Sequence, residues 1–367
     1  LVMFRGVYQG RRVLITGHTG FKGAWLAHWL LQLGSTVRGY ALAPQENQPL
    51  HGGLGLPARM ESQFADIRDR SCLRAAVRAF RPEIVLHLAA QPLVRLSYQL
   101  PVETIETNVM GTANLLDAVR LEAPSASVVI VTSDKCYENR ERPEGYSEDE
   151  PMGGHDPYSA SKGMAEILAA SWRRSFTQPS GTGALASARA GNVIGGGDFS
   201  ADRIIPDCVR AQAAGRPVQV RNRRATRPWQ HVLEPLSGYL WLAACLRDPA
   251  LAPRPGRVQE AFNFGPRDES ARTVGDLVSA FHREWPGACD DRTEPGAPHE
   301  AGFLHLDIAK ARECLGWQPA WEFDTATRTT AAWYRDNASG TPARALCDRD
   351  LAAYAAAASA AGCAWTN

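Results

Sequence analysis

The sequence predicts an α/β fold in which a doubly wound parallel sheet is followed by a smaller C-terminal α/β lobe. Short apolar runs at 13–15, 84–88 and 128–131 alternate with longer helix-like segments, which is the pattern of repeated βαβ units. Glycines follow the first run directly, where such a sheet has its first strand-to-helix turn. Together the two observations predict a parallel sheet with helices on both faces.

The predicted elements follow one another in chain order. We expect strands at 13–15 and 35–42, a third that closes at Asp66-Ile67, and further strands at 84–88, 128–131 and 184–189. We expect helices at 24–33, 71–81, 101–121 and 160–174, the first ended by Gly34 and the second by Pro82. The segment 44–59 is rich in Pro, Gly and Gln and has no periodicity, which predicts a loop.

The pattern changes beyond the glycines at 195–197, where elements become shorter and prolines more frequent. We expect a cofactor domain at 8–192, to which segments near 230–265 return. A substrate lobe would follow at 193–335. The Ala-rich stretch at 354–362 predicts a helical tail within 336–367.

Composition excludes several classes of function. The 40 basic and 39 acidic residues nearly cancel, which gives no support for binding to nucleic acid or to a membrane surface. The eight cysteines are scattered without a Cys-x-x-Cys pair, so neither a zinc site nor disulfides are expected. We expect no signal peptide and no membrane span, and therefore a cytoplasmic protein.

Three glycines at 17, 20 and 23 join the first strand to the first helix. Glycine lets the backbone approach a pyrophosphate, and the following helix N-terminus supplies free N–H groups. The spacing is GxxGxxG rather than GxGxxG, but its position predicts a Rossmann-type dinucleotide site. The loop residues expected to hold the cofactor are Gly17, Thr19, Gly20, Phe21, Lys22 and Gly23.

Residue chemistry leaves the choice between NAD and NADP open. No acidic residue stands at the end of the second strand, where it would hold the ribose of NAD. Lys22 and Arg38 lie nearby and would favour the phosphate of NADP. Asp66 could accept a hydrogen bond from adenine, or it could cap a helix.

Other groups are predicted at the carboxyl ends of the fourth and fifth strands, where ligands bind in such sheets. Small residues in His87-Leu-Ala-Ala-Gln91 would let a cofactor lie against the backbone, at Ala89, Ala90 and Gln91. Thr132 ends the fifth strand, where it is expected to contact the cofactor, and is followed by Ser133, Asp134 and Lys135.

Tyr158 and Lys162 are one helical turn apart and therefore lie on one helix face. A free phenol has a pKa near ~10, and an adjacent ammonium should lower it towards the working range of a base. A Tyr/Lys pair with a serine hydroxyl suffices for hydride transfer between an alcohol and a nicotinamide. The additional acid and base at Asp134 and Lys135 indicate an elimination.

Seven stretches carry a resemblance to the extended short-chain dehydrogenase/reductase family, and within it to the nucleotide-sugar 4,6-dehydratases. They are TGHTGFKG (16–23), HLAAQPLVRLSY (87–98), TNVMGT (107–112), TSDKCYEN (132–139), MGGHDPYSASKG (152–163), RAGNVIGGGD (189–198) and RPWQHVLEPLSGYL (227–240). The Asp-Lys pair and RPWQHV are similar to the branch that acts on CDP-glucose. The resemblance implies tightly held NAD and a homodimer built through the helices that begin near 101 and 158.

The resemblance also implies roles for individual residues. Gly17, Gly20, Gly23, Asp66, Ile67, Ala89 and Ala90 would bind NAD; Ser133, Tyr158 and Lys162 would form the redox triad; Asp134 and Lys135 would be the elimination pair. Substrate contacts would come from Asn192, the Pro206 loop and Arg227, with Arg221 and His299 as further candidates. Lys135 can act as a base only when neutral, which requires a lowered pKa.

The expected reaction converts CDP-glucose to CDP-4-keto-6-deoxyglucose by C4 oxidation, loss of water across C5 and C6, and return of hydride to C6. A 4,6-dehydratase for another nucleotide-hexose is the first alternative. A nucleotide-sugar epimerase is the second, although it would not need Asp134 and Lys135 together.

Overall fold

The computed structural model describes residues 3–367 except 47, 143, 178–182, 268–270 and 293–303. Its strands are β1 (Arg12–Thr16), β2 (Thr36–Ala41), β3 (Glu61–Phe64), β4 (Ile84–His87), β5 (Ser127–Val131), β6 (Ala184–Ala190), β7 (Val193–Ile194), β8 (Val218–Val220), β9 (Thr226–Pro228), β10 (Gln230–His231), β11 (Ala261–Phe264), β12 (Ala271–Thr273) and β13 (Cys289–Asp291).

The helices alternate with these strands in the first half of the chain. They are α1 (Phe21–Gln32), α2 (Leu50–Gly53), α3 (Arg70–Phe80), α4 (Val94–Gln99), α5 (Pro101–Ile105), α6 (Gly111–Glu122), α7 (Pro157–Phe176), α8 (Ile204–Ala213), α9 (Leu233–Arg247), α10 (Val274–Glu284), α11 (Phe323–Ala338) and α12 (Ala343–Ala360).

The predicted doubly wound parallel sheet is confirmed. Seven strands lie in the order β11-β6-β5-β4-β1-β2-β3, and all of their pairings are parallel. Alternate residues of β1 face opposite cores: Val13 and Ile15 pack on the side of α1 and α9, whereas Leu14 packs on the side of α3 and α6. The strand order reverses between β1 and β4, so a crevice opens at their carboxyl ends.

Three local expectations were wrong. The predicted loop 44–59 contains α2 and a 3₁₀ turn, because Leu50, Leu54 and Leu56 are buried against the main core. The third strand ends at Phe64, before Asp66. The predicted continuous helix 101–121 is divided by a π-helical turn at Glu106–Met110, between α5 and α6.

The second half of the chain contributes a strand to the main sheet and also forms the smaller lobe. The strand β11 lies beside β6 at the edge of the main sheet, and α9 packs against β5 and β6. The pairs β8–β13 and β9–β12 lie outside that sheet with α8 and α10. Within the described ranges, no helix has the length and apolar character that a membrane span requires.

Candidate active site

The glycine loop closes the crevice between β1 and β4. Gly17 has a φ of +78°, and an added Cβ would stand 2.7 Å from the backbone nitrogen of Ala89. Gly20 caps α1 without any side-chain acceptor, so the N–H groups of the first helical turn remain available to an anion. A Cβ at Gly23 would meet the Gly17 carbonyl oxygen at 2.1 Å. This cradle, which only glycine can form, fits a dinucleotide pyrophosphate.

Neither cation suggested for an NADP phosphate is placed for that role. Arg38 pairs with Glu61 and lies over the ring of Phe80, 4.6 Å from its centroid. Lys22 extends towards Tyr239 instead, and its Nζ lies 5.9 Å from the centroid of that buried ring. The structure therefore favours NAD over NADP on residue chemistry, which the sequence left open.

Asp66 follows β3 and forms an ion pair with Arg68 at 2.7 Å, which lowers the pKa of its carboxyl group. The helix cap considered for Asp66 is supplied instead by Asp69, which accepts a hydrogen bond from the Cys72 N–H at 2.9 Å. Asp66 is thus not the cap of α3, and the adenine role remains a prediction.

Buried neutral polar groups support the loop that follows β4. His87 lies between the hydroxyls of Thr16 and Thr112, at 2.6 and 2.9 Å, and burial lowers its pKa to about 3. The Gln91 side chain turns into its own loop, where Oε1 accepts from the Leu93 N–H at 2.5 Å. Its amide is therefore engaged internally rather than held open towards the crevice.

Asn108 is a residue that the sequence analysis missed. It lies in the π-helical turn, where its Oδ1 accepts from the Gln91 N–H at 2.8 Å and its Nδ2 donates to Ser161 Oγ at 2.8 Å. Ser161 in turn donates to the Tyr158 carbonyl oxygen at 2.7 Å. The interrupted helix thus joins the cofactor loop to the helix that carries Tyr158 and Lys162.

The predicted catalytic side chains meet at the carboxyl end of β5. Ser133, Asp134, Tyr158 and Lys162 are each less than 9% exposed, and Lys135 is half-buried on the same 3₁₀ turn as Asp134. The Ser133 hydroxyl donates to Asp134 Oδ1 at 2.9 Å and also lies beside the Tyr158 phenol. One hydroxyl therefore lies against both Tyr158 and Asp134.

Burial dominates the electrostatics of this cluster. It raises the pKa of Tyr158 to about 12, although the Ser133 hydrogen bond acts in the opposite direction. It lowers the pKa of Lys162 to about 8. The lowered tyrosine pKa expected from the sequence was wrong for the chain alone, because desolvation of the phenolate outweighs the hydrogen bond with Ser133 and the positive charge of Arg203.

Burial also raises the pKa of Asp134, with Lys135, Arg227 and Lys22 as opposing cations. An added Cβ at Gly191 would stand 2.8 Å from Asp134 Oδ2, so this wall of the site requires a residue without a side chain. A carboxyl group that holds its proton more tightly than usual is better suited to act as a general acid.

The start of α7 is fixed by two further residues that the sequence analysis did not single out. The Tyr158 N–H donates to Ser97 Oγ at 3.1 Å, and Asp156 caps the helix by accepting from the Ser159 N–H at 2.9 Å. A tyrosine in the first turn of a well-capped helix has little freedom to move away from Ser133.

The predicted substrate residues differ in how close they lie to the cluster around Asp134. Arg227 lies in β9, near enough to Asp134 to affect its pKa. Arg221 pairs with Asp202 at 3.0 Å at the surface, and Asn192 is half-buried after β6. Pro206 was expected in a loop but is buried in the first turn of α8. His299 lies outside the described residues.

Arg203 is a further cation at the site, which sequence reasoning missed. It precedes α8 and forms an ion pair with Asp198 at 3.0 Å. It acts on the pKa of both Lys22 and Tyr158, so it faces the same cleft from the lobe side. In the sequence, only the position of Arg203 a few residues after the glycines at 195–197 could have indicated it.

Comparisons with known proteins agree with this arrangement. A family model described as GDP-mannose 4,6 dehydratase matches residues 14–251. A CDP-glucose 4,6-dehydratase from Salmonella typhimurium is 46% identical over 362 residues, which is 96% of this chain and 98% of the relative.

Solved structures show the same fold. A dTDP-glucose 4,6-dehydratase from Streptomyces venezuelae, solved with NAD bound, is 23% identical with a TM-score of 0.76, and covers 89% of this chain and 98% of that chain. A UDP-glucose 4-epimerase from Stenotrophomonas maltophila, also with NAD, is 22% identical with a TM-score of 0.78, and covers 90% and 100%. Fold likeness therefore does not separate a dehydratase from an epimerase.

Proposed function

Because the chain belongs to the GDP-mannose 4,6 dehydratase family, we propose that it converts CDP-glucose to CDP-4-keto-6-deoxyglucose with a resident NAD. The observation that carries this proposal is the buried Asp134, hydrogen-bonded to Ser133 and next to Lys135 within a Ser/Tyr/Lys site. The 46% identical CDP-glucose 4,6-dehydratase supports the choice of nucleotide.

The cofactor would lie across the crevice between β1 and β4. The glycine cradle would hold its pyrophosphate, Asp66 its adenine, and Lys162 the hydroxyls of the nicotinamide ribose. NAD would supply, when bound, a hydride acceptor and donor, and its oxidised ring would carry a positive charge.

The protein's own groups then move the protons. Tyr158, as phenolate, takes the proton of the sugar 4-hydroxyl while Ser133 holds that oxygen. The resulting 4-ketone makes the C5 proton acidic, and Lys135 removes it in the neutral form that a base requires. Asp134 gives its proton to the departing 6-hydroxyl, which leaves as water. The buried positions of Ser133, Asp134 and Tyr158 keep bulk water away from this sequence.

An epimerase of the same fold is the competing function. It would use Ser133, Tyr158 and Lys162 but would have no task for a protonated carboxyl group beside a lysine. The raised pKa of Asp134 therefore favours the dehydratase.

We further propose that the protein is a cytoplasmic homodimer. Residues 8–192 would form the cofactor domain and residues 193–335 the substrate lobe, as predicted from the sequence. Large apolar side chains are exposed along α5, its π-helical turn and α7, which are the helices expected at the dimer interface; they are Val102, Ile105, Met110, Met164 and Ile167. The eight cysteines are all unpaired, which fits a reducing compartment.

The test is mass spectrometry of products after separate incubation with CDP-, dTDP-, UDP- and GDP-glucose, with Tyr158→Phe as the inactive control. Loss of one water from CDP-glucose alone, without accumulation of reduced cofactor, is the expected result. Water loss from another nucleotide sugar would overturn the choice of nucleotide. An unchanged mass with an inverted C4 centre would establish the epimerase.

A further inference from the structure

The Glu166 carboxylate forms hydrogen bonds that connect three parts of the candidate active site. It lies on α7 one turn after Lys162 and is 2% exposed. Its Oε1 accepts from Thr132 Oγ1 at 2.5 Å, and its Oε2 accepts from Ser187 Oγ at 2.7 Å. The carboxylate thus joins the last residue before Ser133, the neighbouring strand β6 and the helix of the redox pair.

This carboxylate is ionised although it is buried. Burial alone would raise its pKa, but Arg189 reverses that effect and holds the pKa of Glu166 below its usual value. Arg189 Nη2 contacts Glu166 Oε2 at 2.8 Å, and the two side chains are 5% and 2% exposed. A buried ion pair is rarely worth its desolvation in stability alone, so a positional role is the better account of it.

We propose that Glu166 is a positioning residue for the proposed reaction, which fixes the Ser133–Lys135 turn against α7 and places a negative charge one helical turn from Lys162. This inference rests on the proposed function only for its rate measurements. Its electrostatic part can be tested on the protein without any substrate.

Of the groups around Lys162, Cys136 and Glu166 both favour its charged form, and Glu166 is the ionised one of the two. The charged and titratable groups there come from α7, the 3₁₀ turn at 134–136, β4 and α1, and they are Tyr158, Glu166, Cys136, His87 and Lys22. His87 is neutral because its pKa is about 3, and Cys136 stays a thiol because burial raises its pKa. Glu166 therefore opposes the burial that lowers the pKa of Lys162 to about 8.

Two variants separate the two roles. Glu166→Gln removes the charge and retains an oxygen that can accept from Thr132. Thr132→Val removes the hydrogen bond and retains the charge. Glu148→Gln is the matched control, because Glu148 is a partly buried acidic residue whose pKa is influenced by Arg189, but its side chain accepts from the Asn263 N–H instead of from Thr132.

The first measurement is the pH dependence of acetic anhydride labelling at Lys162, read by mass spectrometry of the holoenzyme. We expect Glu166→Gln to increase the neutral fraction of Lys162 at pH 7 by about fivefold, because a fall of one unit from a pKa of about 8 raises that fraction from roughly a tenth to roughly a half. Thr132→Val and Glu148→Gln should label as the wild type does. Equal labelling in Glu166→Gln and wild type would overturn the electrostatic role.

The second measurement is the single-turnover rate of nicotinamide reduction with CDP-glucose. We expect Thr132→Val to slow it by roughly 10- to 100-fold, because small displacements of a catalytic turn have effects of this size. An unchanged rate in Thr132→Val would overturn the positioning role. A wild-type protein that reduces no cofactor with any sugar nucleotide would refute the proposed function, while the labelling result would still decide the charge role.

Glu166→Gln could fail to fold, because it leaves Arg189 buried without its partner. The double variant Glu166→Gln/Arg189→Gln removes both charges and should show the same increase in labelling, since Arg189 is not among the groups that face Lys162. Wild-type labelling in a folded double variant would equally contradict the proposal.

Discussion

Ser133 Oγ donates a hydrogen bond to Asp134 Oδ1 at 2.9 Å, so the hydroxyl of the redox triad is joined to the expected elimination acid. A serine hydroxyl has one proton, and the proton given to Asp134 is not available to a substrate oxygen. When Asp134 carries its own proton, it can donate to Ser133 instead and free that hydroxyl. The protonation of Asp134 should therefore influence oxidation as well as elimination.

The first prediction concerns Asp134→Asn. The amide retains a donor for Ser133 Oγ but has no proton to give, so C4 oxidation should continue while water loss falls by ~10²- to 10⁴-fold. Stopped-flow absorbance should show reduced nicotinamide that persists, and mass spectrometry should find little dehydrated sugar. Near-normal product formation by Asp134→Asn would show that another group protonates the 6-hydroxyl.

The second prediction is that Tyr158→Phe prevents oxidation itself. The phenol is the group placed beside Ser133 to take the hydroxyl proton, so reduced nicotinamide should form at least ~10²-fold more slowly. Tyr137→Phe is the control, because it also removes a buried tyrosine hydroxyl, bonded there to Asn263 Oδ1 at 2.8 Å. Equal losses in the two variants would point to a general effect of packing rather than to a base.

The sequence predicted the crevice and the catalytic cluster because both follow from local patterns. Strand periodicity located Thr132 and Ser133 at a strand end, and helix spacing placed Tyr158 and Lys162 on one face. It could not predict Glu166, Asn108 or Arg203, since their partners are 34, 53 and 5 residues away and depend on tertiary packing.

The direction in which the pKa of Tyr158 changes also could not be predicted from the sequence. Spacing indicated a neighbouring ammonium at Lys162, but the burial that raises the pKa of Tyr158 is a property of the folded chain. The same limit explains Lys22, whose position in the glycine loop suggested a cofactor phosphate. In the fold its side chain turns towards Tyr239 and the catalytic carboxyl group.

The third prediction concerns that lysine. Burial, with Arg203 as the main neighbouring cation, lowers the pKa of Lys22 to about 7. Lys22→Met removes a positive neighbour that lowers the pKa of Asp134, so Asp134 should keep its proton to higher pH. The alkaline limb of the water-loss step should move up in pH, as measured by quenched single-turnover mass spectrometry at equal cofactor content.

Lys22→Arg is the matched control for this prediction. A guanidinium stays charged throughout the working range, so the same alkaline limb should stay or move to lower pH. Identical profiles for Lys22→Met and Lys22→Arg would show that Lys22 does not act on the proton of Asp134.

The fourth prediction concerns stability and a carboxyl group far from the reaction. Glu234 on α9 is fully buried, accepts from the Trp321 N–H at 2.6 Å and from the Tyr354 hydroxyl at 2.7 Å, and thereby joins α9 to α12. Burial raises its pKa to about 7 from a usual value of 4.5. Because the folded state binds the proton more tightly, this contribution to stability is complete below pH 4.5 and is lost as the pH rises to 7.

A shift of this size corresponds to about 3 kcal/mol across that window. Glu234→Gln cannot titrate, so the difference in unfolding free energy between wild type and variant should fall by that amount from pH 4.5 to 7 and be constant above it. Urea denaturation at a series of pH values measures this difference. Asp350→Asn on α12 is the control, since burial raises the pKa of Asp350 to about 6 and its window should end about one pH unit earlier. A difference for Glu234→Gln that does not vary with pH would mean that Glu234 is ionised in the folded protein, and that its hydrogen bonds outweigh its burial.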